Sequence, residues 1–379
     1  MFKFGDPQVG VEEIEYIRSI FDSKVFVHGP VTAEFEKSFK SFFGYQHALS
    51  VANCTAGLHL AHYSLSKKID FKGPAKPEVI CPAMTHVATA HAIELAGLTP
   101  IFIDCNSSDA NIDMSLIDDA ITENTVGIAA MHFNGVPCDI EKIMGIAKSK
   151  NLYVVEDCAI ALGAKVGQRP VGSFGDVGAF SFHPVKQMTT GEGGMIVLND
   201  TKLYNNLKLE RAFGVDRTFD ERRQAGVYDA PLLGFNYRMA EIPAAMGVKQ
   251  LEKFENFEKK RKKNFEFLKD AFSSISNISV IGGDITDGRA YYCLIAKIEG
   301  GKENRDRIAN QIKAKGVQTS VYYPHPVPRL SYYSKKYGYS SQKFKNSEGI
   351  SDETIAFSIG PHLGESEISQ IVSILKGVI

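Results

Sequence analysis

Residues 177–198 read VGAFSFHPVKQMTTGEGGMIVL, and the folding of this stretch decides what kind of sheet the chain builds. Val177–Phe182 is an apolar, strand-like run, and Met195–Leu198 is a second. The segment between them holds Pro184 and three glycines, Gly191, Gly193 and Gly194. A helix does not fit there, so one of the two strands is expected to run antiparallel to its neighbours.

Upstream, further short β-branched or apolar runs read as strands: His47–Asn53, Glu78–Pro82, Pro100–Asp104, Val126–His132 and Leu152–Asp157. Helical periodicity separates most of them, with apolar residues three or four apart in Ala56–Ser66, Val87–Leu95 and Ile140–Lys150. Strand and helix alternating in this way predict an α/β layered domain. Its seven-stranded sheet is mixed, mostly parallel and flanked by helices, with ligands at the carboxyl ends of the strands. Downstream the character changes. Met239–Phe272 is one long helical pattern; Tyr291–Glu299 and Val317–Tyr323 read as strands around a helix at Lys302–Lys315, and Glu365–Lys376 as a closing helix. The expected division is a large ligand-binding domain, 1–248, and a smaller C-terminal α/β domain, 249–379.

Composition narrows the class. The 379 residues are 44% hydrophobic and 23% charged, with a formal net charge of −1, which leaves no electrostatic footprint of a nucleic-acid or membrane-surface binder. The basic run Lys259-Lys260-Arg261-Lys262-Lys263 reads as a solvated helix face. The start, Met1-Phe2-Lys3-Phe4-Gly5-Asp6, lacks a basic region followed by an apolar run. No apolar stretch approaches the roughly 20 residues of a membrane span. The six cysteines form no C-x-x-C pair, so buried, reduced thiols and a cytoplasmic setting are expected, with no metal site.

Three features carry chemistry. A loop lysine such as Lys186 is ordinarily just solvated, but Pro184 before it and the glycines after it imply a backbone held in a tight shape. Val154-Val155-Glu156-Asp157 delivers an acid at a strand's carboxyl end, where it either caps the next helix or serves a ligand. A pyridoxal cofactor needs both parts: an amine to condense with, and a carboxylate to keep its ring nitrogen protonated. Asn53-Cys54-Thr55-Ala56-Gly57 follows a strand and opens a helix. Its N–H groups and the Thr55 hydroxyl either cradle a phosphate or form a plain N-cap at Thr55. Ser181, five residues before the lysine, offers the same phosphate another hydroxyl.

With these residues assembled, the chain resembles the DegT-type (DegT/StrS) sugar aminotransferases, a group with the aspartate-aminotransferase fold (fold type I) of pyridoxal enzymes. The resemblance runs through His28-Gly29-Pro30, Phe35-Glu36, Pro82–Thr89, His132-Phe133-Asn134-Gly135, Glu156–Ala159, Val171–Asp176, the Lys186 segment, Gly234–Arg238 and Ser358–Leu363. It implies pyridoxal 5'-phosphate and its pyridoxamine form as cofactor, with Lys186 as the Schiff-base lysine and Asp157 as partner of the pyridine nitrogen. It places Thr55, Ala56, Cys54 and Ser181 at the phosphate, His86 on the ring face, and Asn236 reaching the cofactor of a neighbouring subunit in a homodimer. His183 and Glu192 fall near the sugar. Arg238 meets a nucleotide phosphate or forms a structural ion pair.

The resemblance implies glutamate as amino donor and a nucleotide-linked keto-sugar as acceptor, most like UDP-linked 4-keto-6-deoxy hexosamines, with GDP- and dTDP-linked sugars as alternatives. Such amino sugars serve surface-polysaccharide or glycan synthesis. Two positions depart from the family pattern. Ile160 stands where Gln, His or Glu is usual, and Cys54 where glycine is usual. Rival readings are a keto-sugar dehydratase of the same fold, which carries histidine in place of the lysine, and a non-enzymatic regulator, which needs neither Lys186 nor Asp157.

Overall fold

Each of the seven runs expected in the large sheet finds its neighbours there. In the computed structural model, which describes residues 1–73, 75–216 and 227–378, the strands are β1 (His47–Val51), β2 (Glu78–Pro82), β3 (Thr99–Ile103), β4 (Thr125–Met131), β5 (Tyr153–Asp157), β6 (Val177–Ser181) and β7 (Gly194–Leu198). Their spatial order is β1-β7-β6-β5-β4-β2-β3. The pairings β2–β3, β2–β4, β4–β5 and β5–β6 are parallel. The antiparallel strand is β7, which opposes both β1 and β6.

Every residue of β4 and β5 is buried, because helices cover both faces of the sheet. Alternation along the strands sorts their side chains. Val155, Ala179 and Ile196 face α3 (Cys54–Ser66) and α4 (Val87–Leu95), meeting Leu58 and Ile93. On the other face Phe180 and Val197 meet Phe35 and Phe39 of the helix Pro30–Phe43, while Val154 meets Ile143 of the helix Ile140–Lys150.

A single long helix, Glu241–Ser273, belongs to both cores. Its Ala244 and Val248 pack with Phe35 and Phe182, and its Phe265 and Phe272 pack with the C-terminal sheet. The boundary expected at 248/249 therefore lies inside a continuous helix. The C-terminal sheet is antiparallel, β8 (Ile278–Val280), β9 (Cys293–Ile298) and β10 (Thr354–Ser358) in that order. The helices Gly301–Ala314 and Glu365–Lys376 cover it. Here one expectation fails. Val317–Tyr323 is not a strand; it makes only isolated bridges, Val317 to Phe2 and Ser320 to Ala356. Thr354–Ser358 takes the central pairing with β9 instead. Among the described residues no helix is long and apolar enough to cross a membrane.

Candidate active site

The sheet register brings the expected groups to one edge. Asp157 ends β5 and pairs with Ala179 of β6; two residues on, Ser181 pairs with Gly194 of β7, and Gly194 pairs with Val51 of β1. Adjacent strands lie about 4.8 Å apart, so Asp157, Ser181 and the start of α3 sit side by side. Gly194 makes the last approach possible. A Cβ there would stand 2.7 Å from Asn53 C and Cys54 N, and 2.8 Å from the Phe180 carbonyl. No side chain fits in that gap.

The N-cap of α3 is Asn53, not Thr55: the Asn53 Oδ1 accepts the Ala56 N–H at 2.8 Å. Thr55 is thereby released from capping, half-buried at the first turn. The other N–H groups of that turn have no partner within the helix, and the positive end of its dipole faces the same edge. Cys54 turns away from this cradle. Its thiol donates to the Ala179 carbonyl at 3.6 Å, and burial pushes its pKa well above the ordinary value. A neutral thiol in the core thus replaces the usual glycine without filling the phosphate position.

Lys186 follows a tight turn in which its N–H donates to the His183 carbonyl at 2.9 Å. Its ammonium lies 5.3 Å from the centre of the Tyr292 ring. Burial lowers its pKa from 10.5, against the pull of nearby Cys54, Asp157 and Cys293. Asp157 is 2% exposed. Its Oδ2 accepts the Thr89 hydroxyl at 2.6 Å and its Oδ1 accepts the Ala159 N–H at 3.0 Å. Among the described residues no helix directly follows β5, so the acid closes a turn at Ala159 and does not cap a helix.

His86 caps α4, its Nδ1 accepting the Ala88 N–H at 3.2 Å. That bond puts the proton of the neutral ring on Nε2. Crowding by the surrounding protein, then the Lys186 cation, lowers the imidazole pKa from 6.5. His183, exposed at the turn before Lys186, is close enough to act on His86 in the same direction. Ser181 Oγ accepts the His183 N–H at 3.4 Å.

The remaining expected residues are not gathered this closely. Glu192 and Asn236 are exposed, Asn236 on a segment bridged to Ala212 and tied to the end of β1 through the Tyr237 carbonyl. Arg238 lays its guanidinium 4.8 Å from the Phe213 ring. Ile160 is 1% exposed and packs with Met84, Phe133 and Tyr292, while its carbonyl accepts the Gln187 amide at 3.2 Å. The apolar substitution is absorbed by the core.

Several residues at the site carried no local signal. Tyr292 and Cys293 arrive from the C-terminal unit, and Asn134 holds them in place. Its Nδ2 donates to the Cys293 carbonyl at 3.0 Å, and its Oδ1 accepts the Cys293 N–H at 3.3 Å. Beside it Gly135 has φ +78, and a Cβ would lie 2.2 Å from the Ala290 carbonyl. The motif His132–Gly135 is thus a docking point for β9. His132, Glu156 and Cys158 place ligand-type atoms within 4.8 Å, but they are occupied structurally. His132 Nδ1 accepts the Cys138 N–H, its Nε2 meets Glu156 at 3.0 Å, and Glu156 accepts the N–H groups of Gly172, Phe174 and Gly175.

The family model for DegT/DnrJ/EryC1/StrS aminotransferases matches residues 7–376 of this chain. The chain belongs to this family. It is a pyridoxal-phosphate-dependent sugar aminotransferase. It is 33% identical over 366 residues to the GDP-perosamine synthase of Escherichia coli O157:H7, covering 96% of this chain and 95% of the relative. It is 30% identical over 380 residues to the spore coat polysaccharide biosynthesis protein SpsC of Bacillus subtilis, covering 98% and 96%. The solved aminotransferase PseC of Helicobacter pylori shares the fold, with a TM-score of 0.92, 23% identity and coverage of 100% and 98%. Because Gly194 lets the α3 terminus close against β7 while Cys54 points away, this aminotransferase has a cradle that fits the cofactor phosphate.

Proposed function

We propose that this aminotransferase moves an amino group from L-glutamate to a nucleotide-linked 4-keto-6-deoxy sugar, supplying amino sugars for surface polysaccharide, and that it works as a cytoplasmic homodimer. The observation that carries the reading is the placement of Asp157 at the end of β5 beside β6, with Lys186 in the turn five residues beyond the end of β6 and near enough to feel the Asp157 charge. Asp157 would hold the ring nitrogen; Thr55, Ala56, Ser181 and the Cys54 backbone the phosphate; His86 the ring face; and Lys186 the aldehyde carbon. When bound, the cofactor supplies an electron sink for the carbon that loses its proton.

The protein's own part is proton transfer and orientation. Burial lowers the Lys186 pKa, so its free amine serves as a base nearer neutrality than an exposed lysine would. His86, neutral and with its hydrogen on Nε2, can donate toward the site without adding charge. The names of the Escherichia coli and Bacillus subtilis relatives support a nucleotide-linked sugar and a polysaccharide destination. Phe21, Val27, Phe213 and Leu233 are exposed by 56, 49, 50 and 69%, and a second copy that covered them would take this apolar area out of water. In the dimer Asn236 would reach the partner's cofactor, while His183, Glu192 and Arg238 would meet the sugar nucleotide.

The test is a panel of UDP-, GDP- and dTDP-linked keto-sugars incubated with glutamate, with products read by mass. One panel member should gain an amine, and borohydride should fix the cofactor covalently on Lys186. Failure of every keto-sugar to gain an amine, with the cofactor loaded, would overturn the reading.

A further inference from the structure

Asp157 does not stand alone at the end of β5. Its Oδ2 accepts the hydroxyl of Thr89 at 2.6 Å, and Thr89 Oγ1 lies 2.7 Å from Thr85 Oγ1. Thr89, Thr85 and Asp157 are 0, 1 and 2% exposed. The direction of this chain is fixed by valence. An ionised carboxylate only accepts, so Thr89 must give it its single hydrogen, and the Thr89 oxygen is left to accept from Thr85. Thr85 divides its own hydrogen between Thr89 and Met131 Sδ, 2.9 Å away. The second carboxylate oxygen is held by the Ala159 N–H at 3.0 Å.

Each carboxylate oxygen therefore has one fixed donor, and turning the group about its last torsion breaks both bonds where water does not reach. The first turn of α4 that carries Thr89 begins at His86, so one turn orients both the acid and the imidazole. We propose that Thr89, backed by Thr85, is a positioning residue that sets which lone pair Asp157 presents to the cofactor ring nitrogen. This rests on the reading of Asp157 as the ring's partner. Donor chains of this kind polarise one another, and a fixed carboxylate keeps the ring nitrogen's proton in line. A freed carboxylate holds it less firmly. The ring would then carry less positive charge, and the Lys186 nitrogen, once joined to the aldehyde carbon, would keep its proton to higher pH.

The experiment compares Thr89→Val, Thr89→Ser, Thr85→Val and Asp157→Asn. It measures pyridoxal phosphate affinity by titrating the apo-protein and the pH midpoint of the reconstituted enzyme's visible band. Thr89→Val should weaken affinity about tenfold, as loss of an orienting partner does elsewhere, and raise the midpoint. Thr89→Ser should restore both. Thr85→Val should shift the midpoint the same way by less, and it carries the test should Thr89→Val fail to fold. Parental affinity and midpoint in Thr89→Val, with both altered in Asp157→Asn, overturn the proposal alone. Parental values in Asp157→Asn as well overturn the assignment of Asp157 beneath it.

Discussion

Glu258 lies on the inner side of the long helix, and burial pushes its carboxyl up to about 7 from an ordinary 4.5, against the opposing pull of Arg261 and Arg289. Its Oε2 accepts the Tyr291 N–H at 3.2 Å, next to the tyrosine under Lys186. A carboxyl whose folded pKa lies above its unfolded one is more tightly protonated in the native state. The contribution of Glu258 to stability is therefore greatest below pH 4.5, falls as pH rises toward 7, and is level above that. At about 1.4 kcal/mol per pH unit the full loss comes to about 3 kcal/mol. Glu258→Gln keeps an acceptor for Tyr291 and removes the titration. Urea unfolding of apo-protein and variant at pH 5, 6, 7 and 8 should give stabilities that differ by roughly a quarter of that amount at pH 5 and by nearly all of it at pH 8, the variant being the more stable. Parallel curves, or a variant weaker by the same margin at every pH, would show that Glu258 is ionised throughout and refute the argument.

Two further outcomes follow from the site. Gly194→Ala drives a Cβ to within 2.7 Å of the Asn53–Cys54 backbone and must push α3 off β7. The variant should lose cofactor during purification and fall in kcat on the order of 100-fold, read by steady-state kinetics. Because burial lowers the Lys186 pKa, acetic anhydride labelling of the apo-protein, followed by peptide mass, should show Lys186 half-reactive at a pH below 10.5; a midpoint at or above that value would contradict the burial argument.

The large sheet was legible because its information is local. Each strand is a short apolar run, and the glycine-rich stretch between β6 and β7 forbids a helix, which forces the antiparallel turn. Asp157 was legible for the same reason, standing at the end of such a run, and Lys186 because Pro184 and the glycines mark the tight loop that follows another. The misreading of Val317–Tyr323 shows where local pattern ends. Its alternation suits a strand, yet β9 pairs on one side with β8 and on the other with Thr354–Ser358, leaving this segment single bridges. Tyr292 and Asn134 were invisible as site residues because the bonds that anchor the Tyr292–Cys293 segment run from Asn134 to Cys293, 159 positions away. Thr89 lay within a recognised motif, but nothing in the sequence says which acid its hydroxyl meets.

The insertion of β7 between β1 and β6 has a consequence for synthesis. Among the described residues β1 pairs with no strand other than β7, whose last residue is 198. A nascent chain that stops short of that point has β1 without a sheet neighbour, and the opening turn of α3 has nothing to close against. Vitamin capture is thus a late event for the ribosome-bound polypeptide, deferred by a pairing of high sequence separation.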